Sequence, residues 1–64
     1  MYNVNFYFNK TSTGSYRSCM CVTHEFYVTA LTDVIIEWLF NRTVKCVEIF
    51  DNEKKKIKLH WERN

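Results

Sequence analysis

Hydrophobic and polar side chains alternate over residues 2–9. Tyr2, Val4, Phe6 and Phe8 point one way, and Asn3, Asn5, Tyr7 and Asn9 the other. A period of two is the mark of a strand with one buried face. Residues 10–15 hold the chain's single glycine and several hydroxyl side chains, which predicts a hairpin loop. Residues 16–23 resume the alternation, with Tyr16, Ser18, Met20 and Val22 on one face and Arg17, Cys19, Cys21 and Thr23 on the other. The stretch 24–28 fits either a longer strand or the approach to a helix.

The period then changes. Leu31, Val34, Ile35, Trp38 and Leu39 follow the i, i+3, i+4, i+7, i+8 rule of an amphipathic helix. Thr29 is the expected N-cap, Asp33 sits where the helix dipole favours a carboxylate, and Asn41 is the expected left-handed terminator. These signals predict a helix at about residues 30–41. Residues 43–50 are rich in β-formers, but Val44 and Cys46 are out of phase with Val47 and Ile49, which points to a bulge. A turn at Asp51, Asn52 and Glu53 leads to strict alternation over residues 56–62. There Ile57, Leu59 and Trp61 are expected inward, and Lys56, Lys58, His60 and Glu62 outward.

The order β-β-α-β-β predicts a single α+β domain over residues 1–64. Its simplest packing is two hairpins in a four-stranded antiparallel sheet with one helix on one face. The expected core is Val4, Phe6, Phe8, Met20, Val22, Leu31, Val34, Ile35, Trp38, Leu39, Val47, Ile49, Ile57, Leu59 and Trp61.

Composition sharpens this picture. A chain of 64 residues has a thin stability margin, and a rich core is one remedy. Here 47% of residues are hydrophobic and 17% aromatic, with one glycine and no proline, so neither a linker nor a disordered tract is expected. No apolar run approaches the ~20 residues needed to span a bilayer, and the start has no signal-peptide pattern. Met1 reads as a natural start, and a cytoplasmic protein is expected. The three cysteines are expected as reduced thiols. Residues 1–50 carry four basic and four acidic side chains, so the net charge of +2 comes from the C-terminal end, chiefly Lys54, Lys55, Lys56 and Lys58.

These residues offer three kinds of chemistry. Cys19 and Cys21, with His24 and Cys46, suggest a metal site. However, side chains at i and i+2 of a flat strand stand ~6.5–7 Å apart at their α-carbons, too far for two thiolates on one zinc ion. A cysteine nucleophile with His24 or His60 lacks a third orienting group and an oxyanion site. No metal, cofactor or catalytic residue is therefore expected. The basic residues offer a third reading. Lys54, Lys55, Lys56 and Lys58, together with an outward face of Asn3, Asn5, Tyr7, Arg17 and His60, form a polar contact face suited to nucleic acid. Lysines on an edge strand also serve to block edge-to-edge aggregation.

The helix gives the favoured reading. Ile36 and Phe40 fall opposite the expected core face, one turn apart, where a surface helix should be polar. With Glu37 beside them they form the expected partner-binding patch. Phe26, Tyr27 and Val28, or the chain end, could instead fold over it. The leading expectation is a small non-catalytic protein-binding module, alone or as a homodimer. Small aromatic-rich chains of this kind include phage-type inhibitors of host proteins, anti-CRISPR and other anti-defence proteins among them. The alternative is a nucleic-acid-binding dimer using the lysine-rich strand and the outward sheet face.

Overall fold

The alternation at the start of the chain does form a strand, and its partners follow from where the apolar residues meet. In the computed structural model, which describes residues 1–17 and 19–63, the elements are β1 (Tyr2–Tyr7), β2 (Cys19–His24), α1 (Tyr27–Phe40), β3 (Cys46–Asp51) and β4 (Lys56–Glu62). The strands form one antiparallel sheet in the order β2-β1-β3-β4, with α1 against one face. Ser18, expected on the same face as Met20 and Val22, lies outside the described residues.

Register arranges the sheet in rows. On the helix side, Val22, Val4, Ile49 and Leu59 form one row and Met20, Phe6, Val47 and Trp61 the next. The alternate residues make three rows on the open side: Cys19, Tyr7, Cys46 and Glu62; Cys21, Asn5, Glu48 and His60; Thr23, Asn3, Phe50 and Ile57. Val4, Phe6, Ala30, Val34, Val44, Val47 and Ile49 form the fully buried core. Tyr2, Phe8, Val22, Tyr27, Leu31, Trp38, Leu59 and Trp61 pack around it.

Several expectations are corrected. Ile57 turns out to be exposed on the open side, paired with Phe50, rather than inward. The register between β3 and β4 shifts at Ile49/Phe50 because β4 carries an extra residue, Lys58, so the bulge lies on β4 and not within residues 43–50, where it was expected, and it resets the alternation of early β4. For the same reason Lys58 reaches the helix side, its Nζ 5.8 Å from the Tyr2 ring centroid and 4.9 Å from that of Tyr27. Met20, on edge strand β2, is exposed rather than buried. Val44 and Cys46 are both buried, Val44 in the core and Cys46 on the open side, which accounts for their disagreement in phase.

The helix is also rotated from its expected phase. Tyr27, Ala30, Leu31, Val34 and Trp38 face the sheet, whereas Ile35 and Leu39 are exposed. The helix begins three residues early because Tyr27 packs on Tyr2, with ring centroids 5.4 Å apart. Small Ala30 then lets the backbone approach the sheet. Thr29 is not the cap: Phe26 holds that position without a side-chain hydrogen bond, and Thr29 Oγ1 donates to Phe26 O at 2.9 Å. Asn41 ends the helix in an extended conformation (φ −115°), not a left-handed one. Its N–H donates to Glu37 O, and its side-chain oxygen accepts from Thr43 N–H at 3.2 Å, so an Asx-type turn replaces the glycine-like cap.

The ends of the layer are tied by polar and aromatic contacts. His24 Nε2 lies 3.0 Å from Asp33 Oδ2, joining β2 to α1. Trp38 and Trp61 stand 5.7 Å apart, and the Arg63 guanidinium lies 4.1 Å from the Trp38 ring centroid while donating to the Trp38 carbonyl. That bond satisfies an orphan carbonyl at the negative end of the helix. Asp51 is buried, and its Oδ1 accepts the amides of Glu53 (3.0 Å) and Lys54 (3.2 Å) to start the β3–β4 turn.

Two outcomes follow. Phe6→Ala should cost about 3–5 kcal/mol, most of what a domain this small possesses, and leave little folded protein by circular dichroism. Leu39→Ala should change stability by less than about 0.5 kcal/mol in denaturant titration. Equal losses in the two variants would contradict the helix phase described above. The second concerns Asp51. Burial pushes its carboxyl up, but the Lys54 and Glu53 amides and the Lys58 and Lys54 charges outweigh it and lower its pKa. A lowered folded-state pKa adds stability above the unfolded value, and that share is lost as pH falls through the folded value. Asp51→Asn keeps the turn's acceptor oxygen and removes the titration. Its melting temperature should therefore fall less than the parent's between about pH 5 and about pH 3. An unchanged acid slope would rule Asp51 out as the titrating group.

Candidate functional site

Two surfaces stand out, one on each side of the molecule. The first is the solvent side of α1. At 3.6 residues per turn, Val28, Ile35, Leu39, Thr32, Ile36, Thr29 and Phe40 sweep an arc of roughly 140° that holds no charged residue. Its apolar members are open to solvent: Val28 is 68% exposed, Ile35 40%, Ile36 49%, Leu39 65% and Phe40 83%. Phe26, just before the helix, adds another exposed ring at 61%. It does not fold over Ile36 and Phe40 to hide them, and neither does Val28. Glu37 flanks the arc, half-buried, and accepts from Asn41 Nδ2 at 3.3 Å. Periodicity had found Ile36 and Phe40. It assigned Ile35 and Leu39 to the core because both sides of this helix are apolar.

The second surface is the open face of the sheet. Cys46 and Glu62 are directly opposed across β3 and β4, and Glu48 and His60 are the next opposed pair on the same face. His60 Nδ1 lies 3.0 Å from Glu48 Oε2 and 4.0 Å from Cys46 Sγ, while Nε2 lies 2.9 Å from Glu62 Oε1. Cys46, His60 and Glu62 each place a donor atom within 4.8 Å of the other two. The Tyr7 ring packs on Tyr16 at 5.4 Å, and Tyr16 lies beside Cys46 and Glu62. Cys46 is thus buried although it belongs to the uncovered side.

The electrostatics follow from this crowding. Hydrogen bonds to Glu62 and Glu48 raise the pKa of His60, and the bond from His60 lowers that of Glu62. Burial, then the Glu48 and Glu62 charges, pushes the Cys46 thiol up to about 11. Burial and Glu48 push the Tyr7 phenol up to about 12.

The polar contact face expected from sequence is only partly assembled. Asn3, Asn5, Tyr7 and His60 share the open side. Asn3 Oδ1 accepts from Thr23 Oγ1 at 3.2 Å, and Asn5 Oδ1 from Cys19 Sγ at 3.8 Å. Arg17 stands in the β1–β2 loop, beside an open concavity lined also by Asn9, Lys10, Thr11 and Ser12. Lys54 and Lys55 lie in the β3–β4 turn, Lys56 pairs with Asp51, and Lys58 reaches toward α1. The lysines therefore do not join His60. The carboxylates of Glu48 and Glu62 lie there instead.

Cys19 and Cys21 are exposed on edge strand β2, and His24 is turned to Asp33 on the helix side, so these three do not converge. Cys46 meets His60 instead, a pairing that sequence reading missed. The signal was the phase break at Cys46 together with the outward alternation of His60 and Glu62, but the register that joins them is not local. Among the described residues, no helix is long and apolar enough to cross a membrane. Comparison with family models, curated proteins and solved structures finds no match to the chain.

The thiols give a direct check of this placement. A thiol-reactive dye at about pH 8 should label the exposed Cys19 and Cys21 in the folded chain, Cys19 the more slowly because partial burial and Cys21 raise its pKa, and Cys46 only after denaturation, since full burial and a raised pKa both suppress its thiolate. Three thiols labelled in the folded chain would show that Cys46 is uncovered.

Proposed function

We propose that this chain is a small non-catalytic protein-binding module that uses the solvent side of α1 as its contact surface. The observation that carries the reading is the uncharged arc of Val28, Ile35, Ile36, Leu39 and Phe40. Single exposed apolar residues are ordinary, but five on one side of a 14-residue helix are not. Each is worth roughly 1.5–3 kcal/mol when fully buried, so covering several would add substantially to a thin stability margin.

The spacing suits a helix laid in an apolar groove. Val28, Ile35 and Leu39 form one edge of the arc, and Ile36 and Phe40 the other. Phe40, the most exposed ring of the arc, serves as the main anchor at its C-terminal edge and Glu37 as a polar boundary that sets orientation. This surface fits a cytoplasmic adaptor or inhibitor, the phage-type inhibitors of host proteins included, and equally a second copy of the chain. The open sheet face is less suited to phosphate, because Glu48 and Glu62 stand among its polar residues.

Capture from the native host by the tagged chain, beside its Ile36→Lys and Phe40→Ala variants, tests the reading. Each variant should bind the partner about 10–100-fold more weakly, while its unfolding free energy stays within about 0.5 kcal/mol of the parent. Light scattering at two concentrations tells a second copy from a foreign partner. If both variants keep oligomeric state and partner capture, this surface is not the contact.

A further inference from the structure

On the face away from α1, we propose that the chain holds one divalent transition-metal ion of the zinc class, bound by Cys46 Sγ, His60 Nε2 and the Glu62 carboxylate, with Glu48 holding the imidazole ring and water completing the shell. This inference is independent of the helix contact.

Topology supplies the convergence. Cys46 and Glu62 are one cross-strand pair, Glu48 and His60 the adjacent pair, and all four side chains leave the same face. Opposed β-carbons stand ~4.5–5.5 Å apart and same-face neighbours along a strand ~6.5–7 Å, and the long His60, Glu62 and Glu48 side chains can close the longer span over Cys46. Two short thiols at i and i+2 of one strand cannot, which is why Cys19 and Cys21 are poor candidates. Cys19 is in the same row as Cys46, but Tyr7 stands between them, roughly two strand spacings of 4.7–4.9 Å apart.

The distances are those of a site near closure. Cys46, His60 and Glu62 donors lie within 4.8 Å of one another. Zinc bonds of ~2.0–2.3 Å place tetrahedral donors about 3.3–3.8 Å apart, so the donors must draw in by about 1 Å. The His60 and Glu62 side chains are 43% and 45% exposed and can rotate to do so, while buried Cys46 stays as the fixed anchor. The ion takes Nε2, the nitrogen on the Glu62 side. Glu48, 3.0 Å from Nδ1, accepts the other N–H and fixes the ring, the usual arrangement around a metal-bound histidine.

The charges favour a cation here. Two carboxylates and a thiol share a single imidazole. The two carboxylates place negative charge beside the buried thiol. A divalent ion offsets that charge, and the thiol proton leaves to solvent as the sulfur–metal bond forms. Mixed sulfur, nitrogen and oxygen donors suit zinc, with cobalt as a spectroscopic stand-in. Magnesium and calcium prefer an all-oxygen shell.

The experiment is titration of the reduced, chelator-treated chain with Zn(II) by calorimetry and with Co(II) by absorbance. The expected result is one equivalent bound, with a thiolate-to-cobalt charge-transfer band. Cys46→Ala, His60→Gln and Glu62→Gln should each weaken binding at least about 100-fold, and Glu48→Gln about 10-fold. His60 and Glu62 are surface positions, so their variants report on the site even if Cys46→Ala unfolds. The Cys19→Ser/Cys21→Ser double variant should bind as the parent does. Absence of saturable binding overturns the proposal. So does binding that survives His60→Gln and Glu62→Gln but is lost in the double variant, which would mark only a surface thiol pair.

Discussion

The pairing of β1 with β3 fixes the rest of the molecule. It sets Val4 opposite Ile49 and Phe6 opposite Val47, so the largest buried side chains meet at the centre of the sheet. A slip of one residue would turn every side chain of one strand to the wrong face. In a domain this small no second core could compensate. The same register, through the alternate residues, places Tyr7 beside Cys46 and Asn5 beside Glu48 on the other side. Core and polar face are two readings of one set of hydrogen bonds.

A single helix can cover only one face of this sheet, and it has only one face to give. Ala30 and Val34 are fully buried, with Tyr27, Leu31 and Trp38 closing the edges. The remaining side would ordinarily carry charges. Here the charged residues of α1, Asp33 and Glu37, flank the core face, where Asp33 serves His24 and Glu37 receives Asn41. The solvent side keeps threonine, valine, isoleucine, leucine and phenylalanine. Folding of the chain alone gives no reason for that choice, since neither Ile36 nor Phe40 belongs to the core or to the side chains packed around it.

What was legible in the sequence was whatever depends on local period. The first strand, the last strand and the β-β-α-β-β order are all written in alternation and in the switch to helical spacing. The phase of α1 was not, because Leu31 to Phe40 is apolar on nearly every side, and the sheet chose the side carrying Ala30. Ile57 and Lys58 were misplaced by one bulge, which alternation within a strand cannot reveal. The meeting of Cys46 with His60 was invisible for another reason. It depends on the pairing of β3 with β4 and on which side of the sheet α1 leaves open, and neither is a local property. Thr29 and Asn41 had the right chemistry for caps, yet the ring contact between Tyr27 and Tyr2 set the start of the helix.

The two surfaces lie on opposite sides but share β4. That strand is an edge, held in the sheet by β3 alone. Its outward residues His60 and Glu62 belong to the polar cluster, and its inward residues Leu59 and Trp61 pack on the core. Trp61 leans on Trp38, and Arg63, just beyond, grips the last turn of α1. Anything that fixes His60 and Glu62 to Cys46 and Glu48 therefore pins the strand that supports the C-terminal turn, where Leu39 and Phe40 are displayed. An ion on the open face would act as a cross-strand staple in a domain without disulfides among its described residues, and staples are what small cores usually lack. Coupling between the faces needs no moving part. It needs only that an edge strand be ordered more often when its outward side chains are tied down than when they are not.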